Sequence, residues 1–331
     1  NHWVAECLFF LSKGDLLQAL PFAALLLAVT AGMFVLVLLV SDRYYYRSWL
    51  VAFQAQTSRA LPRSARAPRW TDFRRPSILR PQAEVLLKKE YFQFFREPSQ
   101  WIHLGVMTVL IVVFVSSVRR LDFLLKVPDL PLYTYITLFA FSGFLSASLA
   151  LRFVFPMISL EGLSFWALLS MPVHRGLVYR VKFLIGFMLV VVLALVVTYF
   201  SNAPFMRMAG GKGSLLWFGL CSTLLMSLAM VAVNLGLGAY FVNYQERNPI
   251  RIASSQGATL SFLLNLFFLI ASIGLFVLPL TEYFEAWLLD RPLPDNVMLL
   301  FSAAGAVLVV VVFVLSLLGT LVGLRSLRRD F

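Results

Sequence analysis

Few side chains in this sequence have the types and spacing that chemistry needs. His2, His103 and His174 lie far apart along the chain, so no two can share a metal ion by local spacing. The string "GGKGS", Gly210 to Ser214, has the look of a phosphate loop, yet Gly213 stands where Ser or Thr must ligate Mg²⁺, and it reads as a turn. Cys7 and Cys221 sit in apolar surroundings and suggest neither a disulfide framework nor a thiolate site. Glu161, His174 and Arg175 belong to one loop and have no matching acid–base partner, which disfavours a membrane-embedded enzyme acting on lipid substrates. The clearest deep polar side chains are Asn234 and Asn265, which could line a pathway or, more commonly, hydrogen-bond between helices.

The elements that position these residues are apolar helices. Of 331 residues, 60% are hydrophobic and 13% charged, well above the apolar share of about 45–50% typical of soluble domains. Apolar runs of span length cover Leu16 to Val40, Trp101 to Val118, Leu132 to Phe155, Phe183 to Phe200, Leu215 to Phe241, Ala258 to Leu280 and Val297 to Leu324. The expected fold class is therefore all-α, a polytopic transmembrane helical bundle of about seven spans. If the first span crosses inward, 21 of the 28 Lys and Arg residues fall on the cytoplasmic side and 7 outside, as the positive-inside rule requires. That places the C-terminus in the cytoplasm. The central part of every span lacks Asp, Glu, Lys and Arg, which disfavours an ion-coupled carrier.

The chain begins at Asn1 without a signal-peptide pattern, and an order of aromatic residues, polar break, long span and Arg-bearing exit occurs twice. It runs from Trp3 to Arg47 and again from Tyr283 to Arg329. Residues 1–40 are accordingly expected to be the last re-entrant element and span of a preceding half. Residues 41–82 are expected to form a basic cytoplasmic linker. Its core, Thr57 to Gln82, carries seven Arg and four Pro with no apolar period, and its expected contact is anionic membrane lipid; nucleic acid is not implied.

Two cytoplasmic segments read as helices that do not span. In "AEVLLKKEYFQFFRE", Ala83, Leu87, Tyr91, Phe94 and Phe95 share one face, while Lys89, Glu90, Gln93, Arg96 and Glu97 lie opposite. This is the pattern of an interfacial amphipathic helix over 83–100, which Pro98 breaks before Trp101 opens a span. In the loop Phe155 to Phe183, Pro156 and Pro172 bracket a short helix that Ser159 can cap, with Glu161 in the first turn. Phe165 and Trp166 must bury against something, either the membrane interface or another protein.

These two segments resemble the membrane subunit of type-2 ATP-binding-cassette exporters, in particular a bacterial group of transporter permeases. "KKEYFQFFREPSQW" (Lys88 to Trp101) is similar to that group's connecting helix, and "FPMISLEGLSFWALLSMPV" (Phe155 to Val173) to its F-P-x-x-S-L-E-G-x-x-F-W coupling segment. The resemblance implies a six-span permease domain over 101–331 and a short re-entrant element, Thr281 to Asn296, before the last span. It implies that Ser159, Glu161, Gly162, Phe165 and Trp166 couple to an ATPase, with Glu90, Phe94, Arg96, Glu97 and Pro98 transmitting motion through the connecting helix. No cofactor is expected on this chain, since ATP and Mg would be bound by a partner ATPase subunit. A second permease half, fused or homodimeric, would complete the pathway, and the plasma (inner) membrane is the expected location. The chain would have no catalytic activity of its own. Lipids, peptides, drugs and polysaccharides all suit an apolar pathway moved by alternating access.

Overall fold

A computed structural model of the chain describes residues 2–57, 81–118, 130–165, 170, 173–208, 214–246, 248–289, 291 and 295–328. These residues are helical with no strand among them, because a backbone deprived of water must satisfy its N–H and C=O groups within the segment. Among the described residues, seven helices are long and apolar enough to cross a membrane: Leu16–Tyr45, Ser99–Val118, Leu130–Gly162, Arg175–Phe205, Ser214–Tyr240, Gln256–Leu288 and Asn296–Arg328. Every expected apolar run falls on one of them. The all-α class, with seven helices of span length, is the fold observed among the described residues.

The chain divides into two compact units, Asn1–Pro76 and Ser77–Phe331. In the first, α1 (His2–Ser12) and α2 (Leu16–Thr57) form a helical hairpin. Gly14, at φ +78°, turns the chain between them, and Asp15 N donates to Phe10 O. Stacked Phe10 and Phe22 rings and the Cys7 thiol facing Ala19 O hold the hairpin together. The helix α2 runs on through Thr57, past the expected span end at Val40, because no Pro or Gly interrupts residues 41–57. The greater part of the expected linker, 58–80, lies outside the described residues.

The second unit opens with α3 (Pro81–Arg96) and α4 (Pro98–Val118), separated at Glu97 as the Pro98 break demands. Next, α5 (Leu130–Leu149) widens into a π turn at Ala150–Val154 and then tightens into 3₁₀ turns at Phe155–Met157 and Ser159–Ser164. The remaining helices are α6 (Arg175–Met208), α7 (Ser214–Tyr240), α8 (Pro249–Ala253), α9 (Gln256–Leu288) and α10 (Asp295–Arg328). At the centre is α7, packed by α5, α6, α9 and α10. Its approach to α10 needs glycine: a Cβ on Gly319 would lie 2.5 Å from Ala232 O, and one on Gly236 would strike the Gly319 carbonyl.

Two expectations need correction here. Residues Thr281 to Leu288 do not form a separate re-entrant element before the last span; they continue α9 through Pro279 to Leu288. Finally, α6 starts at Arg175, so Lys182 is drawn inside a helix instead of remaining in the loop before it.

Candidate functional site

The site is built on the irregular end of α5. Ser159 does not cap a helix as expected: the residue before it, Ile158, is already helical at φ −83° and ψ −43°, whereas a cap needs an extended residue at the boundary. The Ser159 Oγ instead accepts from Asn243 N at 3.1 Å, tying the turn to the segment after α7. Gly162, at φ +56° and ψ −147°, occupies backbone space that L side chains rarely enter, and it kinks the 3₁₀ segment. Beyond the kink, Phe165 is buried and stacks on Tyr244 with ring centroids 4.9 Å apart. Burial, and after it the Glu161 charge, raises the Tyr244 phenol above its ordinary pKa.

The turn points Glu161 into a quartet of charges, of which Glu90, Glu161 and Lys182 are buried and Lys89 is half-buried at its edge. Lys182 is 1% exposed, Glu161 6% and Glu90 7%. Lys182 spends all three ammonium donors within the protein: on Glu90 Oε1 at 2.8 Å, on Glu161 Oε1 at 2.5 Å and on Met157 O at 3.0 Å. Lys89 reaches both Glu161 oxygens, at 2.5 and 2.6 Å, and Glu90 Oε1 at 3.2 Å. Two cations and two anions cancel, which is what makes their burial tolerable. The quartet joins α3 (Lys89, Glu90), the 3₁₀ turn (Glu161) and α6 (Lys182). Gln93 adds a fourth strut by donating to Leu160 O at 3.1 Å. Beside it, a cavity of about 40 Å³ lined by Glu90, Gln93, Gln100 and Phe94 is wide enough for ordered water.

This arrangement changes the reading of α3. Its polar side faces the bundle, with Glu90 buried and Gln93 half-buried, while Tyr91 and Phe95 on the aromatic side are exposed. Phe94 is half-buried, within 6.5 Å of the Phe153 ring and 5.9 Å of Trp101. Glu97 bridges the two helices, its carbonyl accepting from Gln100 N. The side chains of Arg96 and Pro98, and all of Trp166, lie outside the described residues. Among the singled-out residues, the structure thus brings Glu90, Ser159, Glu161, Gly162 and Phe165 to one corner. Sequence reasoning passed over Lys89 and Lys182 as members of a site. The available signal was Lys182 in an otherwise apolar stretch, "VKFLIGF", where a lone cation needs a buried counter-charge.

Asn234 and Asn265 lie elsewhere, buried deep in the bundle. Asn234 Oδ1 accepts from Ser261 Oγ at 2.9 Å, joining α7 to α9, and its Nδ2 donates to Met230 O. Asn265 Nδ2 is buried without a hydrogen-bond partner among the described residues. A hydroxyl seam runs through the same interior: Ser142 bonds Thr198, Thr198 bonds Thr223 at 2.9 Å, and Ser227 donates to Ser146 at 3.4 Å.

Among the described residues, no group of three or more His, Cys, Asp or Glu side chains could hold a metal ion. Against known families, residues 1–330 match a family described as "Putative ATP-binding cassette". No curated protein and no solved structure matches the chain.

Proposed function

The chain belongs to this ATP-binding-cassette family, and on that premise we propose that it is the membrane-spanning permease of a transporter powered by a separate cytoplasmic ATPase. The observation that carries the reading is the charge quartet, which fastens the 159–165 turn to α3 and α6. A force applied to that turn is then delivered to two helices at once, one lying before the first span of the second unit and one a span itself. The turn that carries Ser159, Glu161, Gly162, Phe165 and Trp166 receives the push of the ATPase, its buried side chains pass the push inward, and α3, from Glu90 to Pro98, relays the movement. The permease works by alternating access in the plasma membrane with its C-terminus in the cytoplasm, and it needs a second half, fused or as a second copy. Asn234 is spent on an interhelical hydrogen bond to Ser261, the packing use of the pair Asn234 and Asn265 and not the pathway use. ATP and Mg stay on the partner, consistent with Lys212 being followed by Gly213 and not by Ser or Thr.

The experiment is purification of the full chain from its native membrane with whatever ATPase accompanies it, followed by reconstitution. An ATPase subunit should co-purify, and Glu161→Gln should lower substrate-stimulated ATP hydrolysis while the protein stays inserted. If the chain alone hydrolyses ATP, or no ATPase accompanies it, the reading is wrong.

A further inference from the structure

Among the described residues of the second unit, Arg152 is an exposed cation with no ion pair, set apart from the others by its place on the π turn beside α4. Arg152 projects from the π turn, whose widened ring is closed by Phe155 N donating to Ala150 O. It is exposed, and among the described residues no carboxylate lies within ion-pairing distance of it. Its one recorded partner is His103 on α4, with Arg152 Nη1 to His103 Nε2 at 3.2 Å. A guanidinium has no acceptor, so the arginine donates, Nε2 accepts, and the imidazole is neutral with its proton on Nδ1. His103 therefore adds no charge. It holds one edge of the guanidinium against α4 and leaves the remaining N–H fork open.

The surroundings are those of a membrane boundary. Arg152 follows Leu130 by 22 residues, about 33 Å of helix at 1.5 Å per residue, which carries it across a hydrocarbon core about 30 Å thick. On α4 the exposed ring of Trp101, two residues from His103, marks the same level. The short helix α8 packs against both the π turn and α4 and brings a second cation, Arg251, whose side chain is 76% exposed and meets Glu246 only at 3.6 Å. Ile252 anchors α8 inward while Ile250 is exposed beside Arg251, so α8 offers an apolar and a cationic side chain outward together. An open guanidinium fork at a lipid boundary, with a second arginine on a helix packed against the same turn, matches the paired oxygens of a phosphodiester.

We infer that Arg152, positioned by His103 and supported by Arg251, binds the phosphodiester headgroup of an anionic lipid in the leaflet that borders the 159–165 turn. This is a lipid site in the folded bundle, separate from the contacts of the basic stretch 57–82, and it needs only that the bundle be membrane-embedded. It stands whether or not the chain is a permease. The lipid neutralises Arg152 where the protein does not, and its headgroup bridges α4, the π turn and α8.

The test is native mass spectrometry of the full chain in detergent, titrated with phosphatidylglycerol or phosphatidylcholine of identical acyl chains. Wild-type protein should retain phosphatidylglycerol about tenfold more tightly than phosphatidylcholine, the scale of one bidentate charged contact. Arg152→Gln should lower that preference severalfold, the remainder belonging to the basic stretch 57–82, and Arg152→Lys, which keeps charge without the fork, should lower it less. His103→Phe should weaken phosphatidylglycerol with little effect on phosphatidylcholine, so the proposal remains testable even if Arg152→Gln does not fold. Equal retention of the two lipids by wild type, or an unchanged preference in Arg152→Lys and His103→Phe together, overturns it. Displacement of phosphatidylglycerol by millimolar inorganic phosphate also overturns it, because the site would then be one for free anions.

Discussion

Replacing Lys182 with Met leaves the quartet with two carboxylates and one lysine. At an effective dielectric of about 20, an ion pair at the 2.8 Å of Lys182 to Glu90 attracts by about 6 kcal/mol before desolvation is subtracted. Breaking a buried pair by removing one partner costs about 3–5 kcal/mol net, and Lys182 serves two carboxylates, so Lys182→Met should fall at the upper end. Glu90→Gln alone should cost less, about 1–3 kcal/mol, because Lys182 keeps Glu161 and Met157 O. The double variant restores one cation to one anion, Lys89 to Glu161, and should be more stable than the two single losses predict by at least about 1 kcal/mol. Reversible unfolding by dodecyl sulfate titration in mixed micelles, followed by far-ultraviolet circular dichroism, measures all four corners of the cycle. Losses that add within about 0.5 kcal/mol would refute the idea that these charges act as one unit.

Other perturbations test separate steps. Gly162→Ala forces a Cβ into backbone at φ +56° and ψ −147°, at a cost of about 1–3 kcal/mol, and should increase proteolytic cleavage near 159–165 while leaving the spans intact. Gly319→Val should abolish the monodisperse peak in size-exclusion chromatography, since its Cβ meets the Ala232 carbonyl, whereas Gly305→Val, with open space around it, should not. Ser261→Ala should cost about 0.6 kcal/mol, the mean worth of an interhelical hydrogen bond in a membrane, in the same detergent titration. Cysteines introduced at His174 and Gln245 should label only from the cytoplasm and those at Glu282 and Glu285 only from outside, as the Lys and Arg distribution requires; reversed labelling would overturn the orientation.

What the sequence made legible followed from strong signals. Runs such as Leu215 to Phe241 leave a backbone no alternative to helix, and Pro98 marks the break between α3 and α4 without help from tertiary contacts. The site was legible only by halves. Glu90 and Glu161 were singled out on their own segments, but Lys89 read as a solvated charge on a polar face and Lys182 as a topology signal. What joins them is a fold that brings residues 72 and 92 positions apart within 3 Å, and no local periodicity encodes such a distance. Ser159 misled because its position before an acidic residue is that of a cap, while the preceding helical backbone withdraws the geometry a cap requires. The hydroxyl seam was invisible for a different reason: Ser142, Thr198 and Thr223 are ordinary in apolar helices, and only their convergence distinguishes them.

The spacing of the quartet along the chain also has a temporal side. Ribosomes add about 5–20 residues per second, so Glu90 emerges roughly 5–20 s before Lys182, with Glu161 between them. Throughout that interval the early carboxylate has only the neighbouring Lys89, at 3.2 Å, to offset its charge, and it stays in water or among headgroups. Burial becomes favourable only when the third segment delivers its lysine. The order of synthesis therefore makes closure of the quartet a late event in biogenesis, one that distinguishes a correctly assembled nascent chain from one whose later helices have not yet inserted, and quality-control proteases would see the difference as an exposed, still-charged helix end.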